Sequence, residues 1–329
     1  MNSPNRKVRW GVLGYARIAR ESLIPAIQRS ANSEFCAIAS RDQAKLSECR
    51  GRFGEVKGYR GYDELIKDPD IEAVYIPLPN SLHREWTVKA AEQGKHVLCE
   101  KPLGLSAAEC RTMIAACESN RVILMEAFMY RYTHRVRAVL DVLRSGVLGE
   151  VKFVGSTFRF LLANPASIKF KPELGGGSLY DVGCYPINIT GLVADTVAGA
   201  PPGGTRPESV AARFVRQGGV DVSFSGALNY ASGLIASLNS GFNSHGRVYT
   251  EIIGTEGALE IPETFFDNAG VLTVVSGDKR TQIPVAESDR YRSEVEDFAD
   301  AIRNRRPPMF ALAETVRNAE TIDRLLAAG

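Results

Sequence analysis

The first 125 residues or so alternate short apolar runs with segments in which apolar residues recur at the spacing of an amphipathic helix. The runs predict buried strands at 7–14, 34–40, 71–79, 96–100 and 122–128. The segments between them predict helices at 17–30, 43–54, 62–69, 82–94 and 106–120, and Pro25 is expected to bend or end the first of these. Continuous apolar strands that alternate with helices are typical of a parallel sheet covered on both faces. The pattern therefore predicts an α/β fold with a doubly wound domain over residues 1–125.

The pattern of apolar and polar residues changes after a predicted helix at 134–150. Apolar and polar residues now alternate, as in strands with one covered face, at 150–160, 209–219, 220–230, 233–242 and 247–255. Helical spacing returns at 293–305 and 312–329. We predict a second, α+β domain over residues 126–329 with a large, mainly antiparallel open sheet. The C-terminal helix, 312–329, is expected to pack back on the first domain.

Composition excludes several classes of partner. A formal net charge of +2 points to neither nucleic acid nor an anionic membrane. The six cysteines form no C-x-x-C pair, and with four histidines no zinc-type spacing occurs, so no metal is expected. The N-terminus lacks an apolar core of signal-peptide length, and no apolar run reaches about 18 residues. We expect a cytoplasmic protein.

The segment VLGYARIA, 12–19, stands between the first predicted strand and helix, where a dinucleotide-binding fingerprint belongs. The three fingerprint positions are Gly14, Ala16 and Ala19. Glycine makes the tight turn and alanine is accepted at the third position, whereas Ala16 adds one methyl group where the backbone meets the pyrophosphate. Because this is the first turn of a doubly wound series, we predict a Rossmann domain that binds dinucleotide phosphates at the helix N-terminus.

The end of the second predicted strand bears on the choice of dinucleotide. A carboxylate there would bond the ribose 2′-hydroxyl of NAD, and an arginine would accommodate the 2′-phosphate of NADP. The sequence reads Ser40, Arg41, Asp42, so the carboxylate comes one position late. We predict NADP(H). If Arg41 is merely solvated, NAD(H) serves as well.

Two further loops follow strands at the same edge of the sheet. PLPNSLHREW, 77–86, is held by two prolines and can line the nicotinamide ribose, although Asn80 and Ser81 suit a helix cap equally well. HVLCEKPLG, 96–104, ends a strand in Glu100 and Lys101. A strand-end lysine is usually a solvated charge, but a lysine with a lowered pKa can transfer protons.

A third segment, ELGGGSLYDVGCYPIN at 173–188, lies in the second predicted domain. Its glycines allow close backbone approach. If a helical turn follows, Asp181, Tyr185 and Asn188 share one face, which groups a carboxylate, a phenol and an amide. A tyrosine near a cationic lysine can exchange a proton with a substrate hydroxyl. The alternative is a buried tyrosine that caps a turn.

Taken together, these segments resemble the glucose–fructose oxidoreductase/inositol dehydrogenase/MocA (Gfo/Idh/MocA) family. The segments that carry the resemblance are, in order, VLGYARIA, ASRD, YIPLPNSLHREW, HVLCEKPL, MEAFMYRY and GGGSLYDVGCYPIN. The sequence is most similar to the NADP-dependent D-xylose/glucose dehydrogenase and dimeric dihydrodiol dehydrogenase branch, which shares a tyrosine at position 185. The resemblance implies a Rossmann domain and an open-sheet domain that carries the substrate site. It also implies a homodimer or homotetramer formed through that sheet.

The resemblance further implies roles for individual residues. Lys101 would be the active-site lysine, touching cofactor and substrate, and Tyr185 the acid/base. Asp181 would contact substrate or hold Lys101. The other implied cofactor contacts are Gly14, Ala16, Arg17, Ile18, Ser40, Arg41, Pro77, Leu78, Asn80, His83 and Glu100. The other implied substrate contacts are Arg131, Arg159 and Asn188.

We therefore expect an NADP(H)-dependent oxidoreductase that transfers a hydride between nicotinamide and a sugar or polyol-like substrate, such as an aldose 1-dehydrogenase. Two alternatives stay open. A ketoreductase of a nucleotide-linked deoxysugar would need a basic rim for its anionic substrate, and Lys169 and Lys171 could supply one. A non-catalytic NADP-sensing regulator would not require the lysine, aspartate and tyrosine.

Overall fold

The computed structural model describes residues 6–329, so the first five residues of the predicted nucleotide-binding domain lie outside the described residues. The chain divides into two compact units. The first comprises the chain up to Gly104, Ala108–Met129 and Asp289–Leu312. The second comprises Leu105–Ala107, Tyr130–Ser288 and Ala313–Gly329.

Strands and helices alternate in the first unit, whereas strands dominate the second. The strands are β1 Val8–Leu13, β2 Ser33–Ala39, β3 Lys57–Tyr59, β4 Ala73–Ile76, β5 His96–Glu100, β6 Leu124–Ala127, β7 Val151–Leu161, β8 Ser209–Gln217, β9 Val220–Asn229, β10 Ile235–Gly241, β11 Asn243–Gly254, β12 Ala258–Pro262, β13 Gly270–Ser276 and β14 Lys279–Val285. The α-helices are α1 Ile24–Arg29, α2 Gln43–Phe53, α3 Tyr62–Ile66, α4 His83–Glu92, α5 Ala107–Ser119, α6 His134–Arg144, α7 Cys184–Ala198, α8 Arg290–Asn304 and α9 Leu312–Ala328.

The first unit is built on a parallel sheet with the strand order β3-β2-β1-β4-β5-β6. This confirms the doubly wound sheet. Among the described strands of this sheet, only β3 is absent from the predicted set, because its three residues include a lysine and a glycine and form no apolar run. The order reverses between β1 and β4, and ligands of such sheets bind beyond the carboxyl ends of the strands at that point.

Helix α8 packs on the first unit through residues spaced along one face. The ring of Phe298 contacts Trp10 of β1 with centroids 5.3 Å apart. Asn32 donates to the main-chain oxygen of Glu296 at 2.9 Å and to Asp300 at 2.8 Å. The first unit thus includes a segment that follows most of the second unit in the chain. This division differs from the predicted boundary at residue 125, which would cut β6.

The C-terminal helix α9 belongs almost entirely to the second unit, and its predicted packing on the first domain stays a prediction. A buried ion pair connects α9 to its own unit. Arg317 of α9 is buried and pairs with Asp195 of α7, which keeps the helix in its own unit.

Pro25 does not end the first helix. Helical conformation runs from Arg17 to Arg29, with a π-helical segment at Ala19–Leu23 before α1. In a regular α-helix a proline ring clashes with the carbonyl four residues earlier. The wider π turn places hydrogen bonds one residue further back, which lets the helix continue through Pro25.

The second unit contains an eight-stranded sheet with the order β14-β13-β12-β11-β7-β10-β9-β8. Its pairs are antiparallel except β7 with β10, so the mainly antiparallel sheet is confirmed. Strands β12, β13 and β14 are absent from the predicted set. They have five to seven residues, and most of β14 is exposed, so the apolar signal is weak.

Among residues 6–329, none of the helices combines the length and the apolar character that crossing a membrane requires.

Candidate active site

The carboxyl edge of the six-stranded sheet begins with the Gly14 turn. Gly14 has φ +101° and donates its N–H to Ala39 of β2 at 2.9 Å. A side chain would be strained at this dihedral, and its Cβ would lie 3.0 Å from Leu78 Cδ2. No side chain of the described residues caps the π segment that follows at Ala19–Leu23. The first N–H groups of a helix have no partner within it, so this end can receive an anion.

The predicted pyrophosphate residues Ala16, Arg17 and Ile18 lie between that turn and the π segment. The Arg17 side chain is 82% exposed and lies 3.8 Å from Glu21, a loose surface pair. The structure thus brings all three residues to the start of the helix.

The end of β2 supplies the next three predicted positions. Ser40 is buried, and its hydroxyl accepts the N–H of Asp42 at 3.2 Å. Asp42 caps α2 by accepting the N–H of Ala44 at 2.9 Å. The Asp42 carboxylate is therefore engaged by its own helix, and Arg41 is the exposed charge beside Ser40.

The loop after β4 is largely buried, and its side chains make more contacts inside the protein than the sequence predicted. Pro77 and Leu78 are buried, and Asn80 begins a short 3₁₀ turn that has Pro79 as its cap. His83 is fully buried, with Nδ1 3.0 Å from the Pro102 oxygen and Nε2 2.8 Å from the Leu78 oxygen.

This geometry corrects the predicted cofactor contact of His83. Both ring nitrogens face main-chain carbonyls, and burial lowers the pKa of His83, so the neutral ring donates to one of the two loops. His83 acts as an internal link between the loop after β4 and the loop that follows Lys101.

Lys101 is held at the end of β5 by contacts on both sides. The Tyr75 hydroxyl donates to Glu100 at 2.5 Å. The Lys101–Pro102 peptide bond is cis. Beyond it, the N–H of Leu103 donates to Glu126 of β6 at 2.9 Å. Sequence reasoning missed Glu126, and a carboxylate inside the apolar run 122–128 was the available signal.

In the second unit, the triple glycine permits close packing. A Cβ on Gly176 would lie 2.5 Å from the Lys169 oxygen, and one on Gly177, at φ +118°, would overlap the Asp221 carboxylate. Asp221 accepts from the Ser178 hydroxyl at 2.7 Å and from the Leu179 N–H at 2.8 Å. The glycines therefore seat a buried carboxylate at the start of the following helix.

Tyr185 lies early in that helix, after a π-helical segment at Leu179–Gly183. Its side chain is 4% exposed. The rings of Tyr130, Phe158 and Phe265 surround it, with centroids 5.7, 5.3 and 5.2 Å away. The predicted helical turn is present, and the phenol is fixed in an aromatic cluster.

Asp181 pairs with Lys169 in the second unit, with Nζ and Oδ2 2.5 Å apart. The Lys169 ammonium also lies 5.2 Å from the ring centroid of Phe160. Sequence reasoning assigned Lys169 only to a basic rim, and nothing in the pattern marked it as the partner of Asp181.

Arg131 and Asn188 form part of a buried network, which differs from the predicted direct contact with substrate. Asn188 Oδ1 accepts from the Tyr130 hydroxyl at 2.5 Å and from Arg131 at 3.3 Å. Arg131 also pairs with Glu314 of α9 at 2.5 Å. Asn188 is fully buried, so both residues connect α7 to α9 inside the second unit.

Arg159 lies on the face of the sheet opposite to Tyr185, and its predicted substrate contact stays a prediction. Phe158, its neighbour in β7, points toward Tyr185, and successive residues of a strand point to opposite faces. The guanidinium donates to five oxygens within 3.2 Å, on Ser223, Asn239, Ser240, Asn243 and Ser244. Arg159 therefore joins β7, β9, β10 and β11 on the face away from Tyr185.

A Rossmann sheet with a glycine turn and an edge lysine, in a chain with a separate open-sheet unit, defines a class of two-domain oxidoreductases. Residues 8–128 match the family described as "Oxidoreductase family, NAD-binding Rossmann fold", and residues 136–260 match the GFO/IDH/MocA C-terminal domain. The chain belongs to the Gfo/Idh/MocA family of oxidoreductases, as its sequence motifs implied.

Characterised relatives match almost the whole chain. D-xylose 1-dehydrogenase (NADP(+)) 2 of Haloferax volcanii is 38% identical over 322 residues, 96% of this chain and 95% of that protein. The dTDP-3,4-didehydro-2,6-dideoxy-α-D-glucose 3-reductase of Saccharopolyspora spinosa is 34% identical over 91% of this chain and 88% of that protein. The crystal structure of KijD10, a 3-ketoreductase from Actinomadura kijaniata in complex with NADP and TDP-benzene, is similar with a TM-score of 0.91 and 29% identity, over 98% of each chain.

Proposed function

We propose that this chain is an NADP(H)-dependent sugar oxidoreductase that transfers a hydride between nicotinamide and a hydroxyl-bearing carbon, as an aldose 1-dehydrogenase does. The observation that carries the proposal is the end of β2. Asp42, the carboxylate that could have selected NAD, caps α2, and Arg41 is exposed beside Ser40. The similarity to an NADP-dependent D-xylose dehydrogenase over nearly the full length supports the same cofactor and a sugar substrate.

The residues present fit a dinucleotide. The Gly14 turn has no side chain, and no described side chain caps the helix that follows, so a pyrophosphate fits there with Ala16, Arg17 and Ile18. Ser40 and Arg41 would hold the 2′-phosphate. Further along the same edge, Pro77, Leu78, Asn80 and Glu100 would line the nicotinamide end. NADP(H), when bound, supplies or accepts the hydride.

Tyr185 and Lys101 have separate roles. Tyr185 exchanges the proton of the substrate hydroxyl, because its phenol is fixed by surrounding rings near the start of α7. Lys101 supplies a cation at the nicotinamide end of the sheet edge, where the segment that bears it is fixed through Pro102 and Leu103. Asp181, paired with Lys169, contributes a carboxylate on the Tyr185 side of the second unit.

The test combines substrate screening with paired variants. Aldoses, polyols and dihydrodiols are assayed with NADP⁺ and NAD⁺ by absorbance of the reduced nicotinamide. Tyr185→Phe and Lys101→Met should each lower kcat by about 10²- to 10⁴-fold, as expected when proton transfer is lost, while NADPH binding by fluorescence persists. Matched controls are Tyr230→Phe, another buried tyrosine of the second unit, and Lys152→Met, a surface lysine.

Near wild-type rates in both Tyr185→Phe and Lys101→Met would overturn the mechanism. Failure of every sugar with both cofactors would overturn the substrate class.

A second candidate is a ketoreductase of a nucleotide-linked deoxysugar, favoured by the similarity to the Saccharopolyspora 3-reductase and to KijD10. Of the two lysines predicted as a basic rim, Lys169 is paired with Asp181, and Lys171 is exposed. Competition by dTDP distinguishes the candidates. Strong inhibition of turnover by dTDP favours the nucleotide-linked substrate. The absence of inhibition favours a free sugar.

We also propose self-association through the open sheet. Five large apolar side chains, 38 to 68% exposed, lie on the face that bears Arg159: Leu161, Val215, Ile235, Ile253 and Val271. An apolar surface of this kind marks an interaction site. Light scattering after size exclusion should show a dimer or tetramer, and Ile235→Glu with Ile253→Glu should shift it toward the monomer.

A further inference from the structure

The end of β3 lies beside the proposed 2′-phosphate site. Strands β2 and β3 are parallel, with Ala39 opposite Tyr59. The Ser40 N–H donates to the Tyr59 oxygen at 3.0 Å. The residue that follows Tyr59 is Arg60, so Arg41 and Arg60 leave adjacent strands at the same carboxyl edge. Adjacent strands are about 4.8 Å apart, less than the length of an arginine side chain.

Arg41 and Arg60 are both exposed, and their guanidinium groups are available to a ligand. Within residues 6–329, neither Arg41 nor Arg60 forms a hydrogen bond or ion pair through its side chain. Several other exposed or half-exposed arginines of the first unit form ion pairs. Arg9 pairs with Glu72, Arg20 with Glu48 and Arg29 with Asp289.

Tyr62 provides a second indication of where Arg41 lies. Burial raises the pKa of Tyr62, and the nearby positive charge of Arg41 opposes that rise. Tyr62 is itself only two positions after Arg60. The Tyr62 hydroxyl would in turn lie 3.6 Å from a Cβ on Gly14. The two arginines therefore border the same turn at which the dinucleotide is proposed to bind.

We propose that Arg60 is a second specificity-determining residue that, together with Arg41, binds the 2′-phosphate of NADP(H); the proposal rests on the proposed function. Two like charges on neighbouring strands repel one another, and a dianionic phosphate between them turns that repulsion into two charge-assisted contacts. A guanidinium suits this task because its planar fork matches phosphate geometry. NAD(H), which lacks the phosphate, gains nothing from Arg60.

The experiment compares ligands that differ only in the 2′-phosphate. Wild type, Arg41→Ala, Arg60→Ala and Arg137→Ala are titrated calorimetrically with NADPH, NADH, 2′,5′-ADP and 5′-AMP. Arg137, an exposed arginine of α6, controls for the loss of one positive charge elsewhere.

Arg60→Ala should weaken NADPH and 2′,5′-ADP about 10-fold or more, the effect of one charge-assisted hydrogen bond, and leave NADH and 5′-AMP within about twofold. Arg60→Lys should recover part of the loss. Arg137→Ala should bind all four ligands as wild type does.

Two outcomes overturn the inference: Arg60→Ala leaves NADPH binding unchanged, or it weakens NADPH and NADH equally. If wild type prefers NADPH and only Arg41→Ala removes that preference, the inference alone fails. If wild type binds neither dinucleotide, the proposed function fails as well.

Discussion

Each unit contains a helix that starts in the same unusual way. A glycine with positive φ, Gly14 or Gly177, precedes a π-helical segment in both. A proline follows just beyond the segment, at Pro25 in α1 and Pro186 in α7. In both, the π turn relieves the clash that a proline causes inside a regular α-helix.

The two helix starts differ in what meets their N–H groups. In the second unit, Asp221 supplies an internal carboxylate that accepts the Leu179 N–H. In the first unit, no side chain of the described residues caps the π segment after Gly14. The second helix start therefore already meets an anion of the protein's own, and the first leaves its N–H groups open to the proposed phosphate.

The C-terminal ends of the two helices also differ, in how deeply their charged groups are buried. Near the C-terminal end of α7, Asp195 meets the buried guanidinium of Arg317. At the end of α1, Arg29 pairs with Asp289 at 2.9 Å, with side chains 52% and 39% exposed. The helix of the second unit is thus fixed by buried charges, and that of the first ends at the surface.

The largest expected effect comes from breaking the buried pair at the end of α7. Arg317→Met leaves the buried Asp195 without its cation, whereas Glu314 keeps Arg131, and the loss should lower the free energy of unfolding by about 3 to 5 kcal/mol. Urea denaturation followed by circular dichroism measures this. The matched control is Arg206→Met, whose partner Glu320 is at the surface, and a loss as small as that of the control would contradict the contrast.

The same pair predicts acid sensitivity. Burial opposes ionisation of Asp195, but Arg317 and Thr205 outweigh it and hold the pKa of Asp195 below its usual value. A lowered carboxyl pKa stabilises the native state above the unfolded value of about 3.9 and is lost as pH falls through the folded value. The stability of Arg317→Met should therefore fall less steeply on acidification than that of wild type.

The next effect concerns the internal carboxylate at the start of α7. Asp221→Ala leaves the Leu179 N–H without an acceptor and should cost about 1 to 3 kcal/mol. Asp221→Asn should cost less, because the amide oxygen can still accept. Comparable losses in the two variants would contradict this account, because asparagine fills the same volume as aspartate and keeps an acceptor for the Leu179 N–H.

Burial raises the pKa of Asp221, while its hydrogen bonds to Ser178 and Leu179 oppose the rise. The folded state then binds its proton more tightly than the unfolded chain. The contribution of Asp221 to stability is therefore greatest below the unfolded pKa of about 3.9 and declines as pH rises through the folded value. Asp221→Asn should lack this decline in a series of melts from pH 3 upward.

A smaller loss of stability is expected at the open helix start. Gly14→Ala is strained at φ +101° and meets Leu78, so it should cost about 1 to 2 kcal/mol and weaken NADPH binding. Gly54→Ala is the matched control, since Gly54 has φ +90° but open space around its Cβ. Equal NADPH affinity in the two variants would argue against the Gly14 turn as the phosphate site.

The sequence predicted the structure well where apolar runs are continuous, and poorly where contacts between polar groups determine it. It predicted the parallel sheet and placed Gly14 and Lys101 at strand ends, because buried parallel strands leave a strong hydrophobic pattern. It did not predict that His83 bridges two loops. Nor did it predict the face of Arg159 or the pairing of Asp181 with Lys169. Those depend on contacts between residues distant in the chain, which no local period encodes.

The smallest expected effect is at the surface end of α1. Arg29→Ala removes an exposed pair with Asp289 and should change the free energy of unfolding by about 0.5 kcal/mol or less. Asp289→Ala should cost more, about 1 kcal/mol, because Asp289 also caps α8 by accepting the Arg292 N–H at 3.2 Å. Urea denaturation separates the two. If Arg29→Ala costs as much as Arg317→Met, burial does not distinguish the charges at the ends of the two helices.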